Sequence, residues 1–134
     1  MAIAPGDEME FQDSEVSEIR VDAGVVVVKF SAAAVRRIGA DAGAETTPGY
    51  AQGIELVCTG ARVLRDDDAC IGKISGGHLL VGGKQMRLLP LPCAIGAPAM
   101  LELRFSNGAQ FCVEADHWSL RPTGDLMFVE SYRC

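Results

Sequence analysis

The stretch from Met100 to Trp118, MLELRFSNGAQFCVEADHW, constrains the fold of this chain more than any other, because its pattern of side chains favours a single strand register. Leu101, Leu103 and Phe105 alternate with Glu102 and Arg104, and Phe111, Val113 and Ala115 alternate with Cys112 and Glu114. This is the period-two pattern of half-buried β-strands. Between the arms lies Ser106-Asn107-Gly108. A two-residue loop at Asn107-Gly108 would put the apolar residues of the two arms on opposite faces of the sheet. A three-residue loop with Gly108 in the left-handed region instead pairs Phe105 with Ala109, Leu103 with Phe111 and Leu101 with Val113, so that every large apolar group shares one face.

A second stretch repeats the design. Residues 54–63, IELVCTGARV, align with 101–111, LELRFSNGAQF, with one residue missing in the turn. The deletion leaves a two-residue turn at Thr59-Gly60, which pairs Cys58 with Ala61 and Leu56 with Val63 and keeps the apolar face intact. Gly77–Val81 likewise matches Gly124–Phe128. These matches predict two degenerate copies of one β unit, roughly 24–81 and 82–132, within an all-β, single-domain antiparallel β-sandwich or barrel.

Other segments fit that class. Val25–Phe30, VVVVKF, is a strand from the middle of a sheet; Ser31 to Ile38 reads as a short helix or turn, the one helical candidate, or equally as a continuation of that strand. Ala69–Ile74 and His78–Val81 read as strands separated by a turn at Gly76-Gly77. Gly82-Gly83 reads as a hairpin turn into Gln85–Leu89, after which Pro90 and Pro92 end pairing or mark an edge. Residues 39–53, GADAGAETTPGYAQG, support no periodic element and read as a long loop in which Tyr50 is the natural contact residue.

The hydrophobic content of 49% against 22% charged, with fifteen Gly and six Pro as punctuation, belongs to a turn-rich globular chain of one-domain length. No apolar run reaches the roughly 20 residues of a membrane helix, and the opening MAIAPGDEMEF lacks the basic flank and apolar core of a secretory signal. The sequence therefore predicts a cytoplasmic protein, and its arginine and alanine usage suits a bacterial source. Five cysteines in no C-x-x-C spacing predict neither a disulfide framework nor a zinc site.

The net charge of −6 is confined to one end. Residues 1–22 hold seven carboxylates against Arg20 alone, and the remaining 112 residues carry eleven charges of each sign. Residues 1–15 thus read as an acidic mobile arm ahead of a β domain at 16–134, with Met9 and Phe11 the two side chains able to dock. Glu8, Glu10 and Asp13 form its anionic surface, which suits a basic protein partner and not nucleic acid.

The candidates for chemistry are few. Arg65-Asp66-Asp67-Asp68 lacks the glycine and distal glutamate of a calcium loop and reads as a solvated turn. Gly82-Gly83-Lys84 lacks the rest of a phosphate loop. His117 stands beside Asp116 and Ser119, but strand neighbours point to opposite faces and make no triad, so His117 and Trp118 read as contact or anchor residues. The sequence predicts no catalytic residue, no metal and no cofactor. The expected function is a non-catalytic protein-binding module, with Glu8, Glu10, Asp13, Tyr50, His117 and Trp118 as partner-binding residues and self-association open to it. That general profile is similar to that of bacterial immunity proteins, which cover a toxin. The alternative is a small-molecule site in an apolar cavity beneath the 39–53 loop.

Overall fold

The structure, a computed structural model, describes residues 7–37 and 47–130, with side chains for 7–36 and 49–123. Eleven strands account for most of it: β1 (Glu8–Asp22), β2 (Val25–Arg37), β3 (Thr47–Thr59), β4 (Arg62–Asp66), β5 (Gly72–Val81), β6 (Lys84–Met86), β7 (Leu88–Pro90), β8 (Cys93–Ile95), β9 (Ala99–Phe105), β10 (Gln110–Ala115) and β11 (His117–Glu130). All pairings are antiparallel, and the strands lie in the order β4-β10-β9-β5-β1-β2-β3-β11-β8, with β6 beside β5 and β7 beside β1. The sheet is not closed, so the fold is an all-β, sandwich-like single domain and not a barrel.

The β9–β10 hairpin has the register its sequence dictates. Leu103 pairs with Phe111 and Leu101 with Val113, the Phe105 amide donates to the Ala109 carbonyl, and Gly108 takes a φ of 91°. Asn107 fastens the turn from outside, its side-chain amide donating to the Ala69 carbonyl at 2.8 Å. The residues of this hairpin's inner face, from Leu101 to Ala115, are buried in a core that also takes Val26, Val28 and Phe30 from β2 and Ile54, Leu56 and Cys58 from β3.

β1 holds the two parts of the sheet together. It pairs with β7 at Glu8–Glu10, with β5 at Glu15 and Val16, and with β2 along most of its length. From Glu10 to Glu15 it bulges: β1 takes five steps while β2 takes two, from Ala34 to Ala32. The odd count of steps changes which parity faces inward, so Met9 and Phe11 are buried on the way into the bulge and Ser14 and Val16 on the way out. From Glu8 onward the expected acidic arm is therefore the first strand of the domain, with Met9 and Phe11 wholly buried. Residues 1–6 lie outside the described residues.

Several expectations from local pattern are corrected. The stretch 54–63 is no hairpin. β3 pairs with β2 and β11, whereas β4 pairs with β10, and Thr59-Gly60-Ala61 is the corner at which the chain crosses from one part of the sheet to the other. The corner lies beside a second crossing, between β10 and β11, where the Asp116 amide donates to the Thr59 carbonyl at 3.0 Å. Of the two readings of the segment after Ser31, the strand holds and the helix does not: residues 31–37 continue β2, and Ala33 and Val35 bury against the core. Gly76-Gly77 lies inside β5 rather than at a turn, and the strand bulges there at Ser75. The Gly82-Gly83 turn is found, with both residues at positive φ, but the segment after it divides between β6 and β7. In the 39–53 stretch, residues 47–53 belong to β3, and 38–46 lie outside the described residues.

Candidate functional site

The outer face of β1, β2 and β3 carries three of the residues singled out in the sequence. Glu10 pairs with Ala34 and Ala34 with Tyr50, and Glu8 lies opposite Arg36. Directly paired residues share a face, so Glu8, Glu10 and Tyr50 project from the same surface, with Glu10 and Tyr50 two strands, or about 10 Å, apart. Ala32 and Ala34 keep the ground between them low. Tyr50 is 38% exposed on a strand, held by backbone pairing on both sides rather than carried by a loop. Glu10 is bound to Arg36 at 2.9 Å.

Asp13, His117 and Trp118 do not join that surface. Asp13 occupies the β1 bulge with a φ of 72° and faces Lys73 at 3.5 Å. His117 opens β11 opposite Thr59, at the far end of β3 from Tyr50, nine residues or about 30 Å along the strand. Trp118 is a core anchor and not a contact residue: it is 3% exposed, and its indole N–H donates to the Ala115 carbonyl at 3.1 Å. That bond spans the β10–β11 crossing, so the single tryptophan fixes a corner of the fold.

A second surface, on the outer face of β4, β10, β9 and β5, was not visible in the sequence. Arg65, Cys112, Glu102 and His78 stand in one row across these four strands. His78 Nε2 lies 3.2 Å from Glu102 Oε2, and a groove of about 490 Å³ runs past them, with Leu64 and Arg104 also lining it. Local alternation does place each of these side chains outward. Their alignment depends on which strands become neighbours, and no local signal carries that.

The row offers little to nucleophilic chemistry. Cys112 lies on the far side of Glu102 from His78, two strands away, too far for the imidazole to take its proton. Partial burial, and then the carboxylates of Glu102 and Glu114, push the Cys112 thiol up, which is opposite to what a thiolate nucleophile needs. Burial raises Cys70 and Cys93 in the same sense, and pushes Cys58 up to about 11. All four are free thiols.

The acidic run at Arg65–Asp68 is structural. The Asp67 carboxylate accepts from Arg65 at 3.0 and 3.1 Å and from the Gln110 amide at 2.9 Å, and the Arg65 guanidinium holds it below the usual carboxylate range. It ties the segment after β4 to the start of β10. Among the described residues no three His, Cys, Asp or Glu side chains are placed to hold a metal ion, and no helix is long and apolar enough to cross a membrane. No protein-family model, curated protein or solved structure matches this chain.

Proposed function

We propose that this protein is a non-catalytic protein-binding module of a bacterial cytoplasm, of the immunity type that covers a toxin or another protein. The observation that carries the reading is the surface of β1–β3, where the exposed Tyr50 faces Ala34 across the ladder, with Glu8 and Glu10 on the same face. An aromatic side chain fixed on a strand loses little entropy when it is covered, and Tyr is enriched among residues that dominate binding energy. The net charge of −6 favours a basic partner, although three β1 carboxylates, Glu10, Asp13 and Glu18, are already engaged by cations of the same chain.

The test is affinity capture with the intact chain from a lysate of its own host, followed by calorimetric titration of the captured protein. Tyr50→Ala is expected to weaken binding by about 30-fold, the size of a central anchor, with an unchanged melting temperature. Replacing His117, remote from this surface, leaves the affinity as it was. Unchanged affinity in Tyr50→Ala, or failure to capture any protein, overturns the reading.

A further inference from the structure

Of the arginines whose side chains are described, five are ion-paired: Arg20 with Glu18, Arg36 with Glu10, Arg62 with Glu114, Arg65 with Asp67 and Arg121 with Glu55. Arg87 and Arg104 have no carboxylate within 4 Å among the described residues, and both line the same small cleft. In a chain with eighteen acidic and twelve basic residues, two arginines left unpaired at one place stand against the overall balance.

The cleft opens between the β1 bulge and the Ser75 bulge of β5, and holds about 180 Å³. Gln12, Ser75 and His78 line it with the two arginines. Gly76 shapes it: a Cβ there would come within 2.9 Å of Arg104 Nη2, so the missing side chain lets the guanidinium lie against the strand. One carboxylate, Glu10, also lines the cleft and is paired with Arg36 at 2.9 Å; Glu102 lies outside the lining, 3.2 Å from His78 Nε2. The guanidinium fork matches the oxygen spacing of phosphate and carboxylate, and two forks on one cleft favour the group with more oxygens and more charge.

We propose that this cleft is an oxyanion-binding site whose ligand is a small molecule bearing a phosphate group, held by Arg87 and Arg104 with polar support from Gln12, Ser75 and His78. The site borders the surface proposed at Tyr50, with Glu10 common to both, and its assignment does not rest on that reading. The probe is inorganic phosphate, titrated into ¹⁵N-labelled protein at ionic strength held constant with sodium chloride, with acetate as a parallel arm. Saturable shifts confined to the Gly76 and Gly77 amides and the Arg87 and Arg104 Nε signals are expected, with acetate at least tenfold weaker. Arg87→Gln and Arg104→Gln should each weaken phosphate binding at least tenfold, and Arg62→Gln, whose arginine is paired elsewhere, should not. Melting temperatures establish that each variant is folded, and Arg104→Lys, which keeps the charge and loses the fork, should bind at an intermediate level. Shifts that grow linearly without saturating, equal loss in Arg62→Gln, or full binding in either glutamine variant overturns the site. Acetate binding as tightly as phosphate overturns the assignment to a phosphate group.

Discussion

Ser14 is a polar side chain with no exposure at all, and its hydroxyl answers two backbone groups that the β1 bulge would otherwise strand. It donates to the Glu10 carbonyl at 2.6 Å and accepts from the Ala34 amide at 2.8 Å. Where three extra residues of β1 loop out, the ladder to β2 loses its regular bonds, and a serine in the right place restores one on each strand. Removing the hydroxyl leaves a part-buried donor and a part-buried acceptor unmet, each with a desolvation penalty, rather than merely losing a bond. Ser14→Ala should therefore cost about 1–3 kcal/mol in urea unfolding, well above the few tenths expected for an exposed serine. The same substitution at Ser17, whose hydroxyl makes one exposed 3.3 Å contact to the Lys29 carbonyl, is the control. Equal effects at the two positions would show that the bulge does not depend on Ser14.

The strand that tests packing most sharply is β5, where Gly77 passes between the two parts of the sheet. A Cβ at Gly77 would sit 2.9 Å from Leu103 Cδ2, 3.1 Å from the Glu102 carbonyl oxygen and 3.2 Å from Phe11 Cβ. Gly→Ala inside a strand ordinarily gains about 0.5–1 kcal/mol in backbone entropy. Here two of the three neighbours are a core strand's backbone and a buried Cβ, which cannot swing aside, so overpacking at about 1–3 kcal/mol outweighs that gain. Gly77→Ala should lower stability, and a thermal melt showing an equal or higher midpoint would refute the close packing. The glycine pair illustrates what was legible in the sequence. Alternation identified the inner faces at Leu101–Phe105, Phe111–Ala115, Leu56 and Cys58, and the Ser106-Asn107-Gly108 turn set its own register. Pairing between distant strands was not legible. Gly60 serves equally well in a hairpin turn and in a corner between two parts of a sheet, and Gly76-Gly77 looks like a turn unless the approach of Phe11 and Arg104 is known. For the same reason an exposed Tyr50 could be anticipated and the His78–Glu102 contact could not: one is a property of a side chain, the other of a neighbour 24 residues away.

At the scale of the whole molecule, the question is whether the two parts of the sheet fold as one. Their direct ladder is short, only Glu15 with Lys73 and Val16 with Gly72, which alone would be a weak hinge. Phe11 strengthens it. It leaves β1 at the bulge fully buried, its amide donates to the Arg87 carbonyl at 3.3 Å between β6 and β7, and its Cβ lies against the Gly77 backbone of β5. The core it enters is continuous, running from Val26 and Ile54 on one side to Leu101 and Phe111 on the other. Truncating such an anchor removes transfer energy and leaves a cavity, about 3–5 kcal/mol for Phe→Ala, a large share of the 5–15 kcal/mol that holds a domain of this kind. Because the lost contacts belong to both parts, each should be weakened together. Phe11→Ala should shift the urea midpoint far down while tryptophan fluorescence, which reports the β10–β11 corner, and far-ultraviolet circular dichroism, which reports all strands, still trace one coincident transition. If the two signals separate, with the Trp118 corner melting apart from the rest, then β1 joins two independently stable units and the chain is not one cooperative domain.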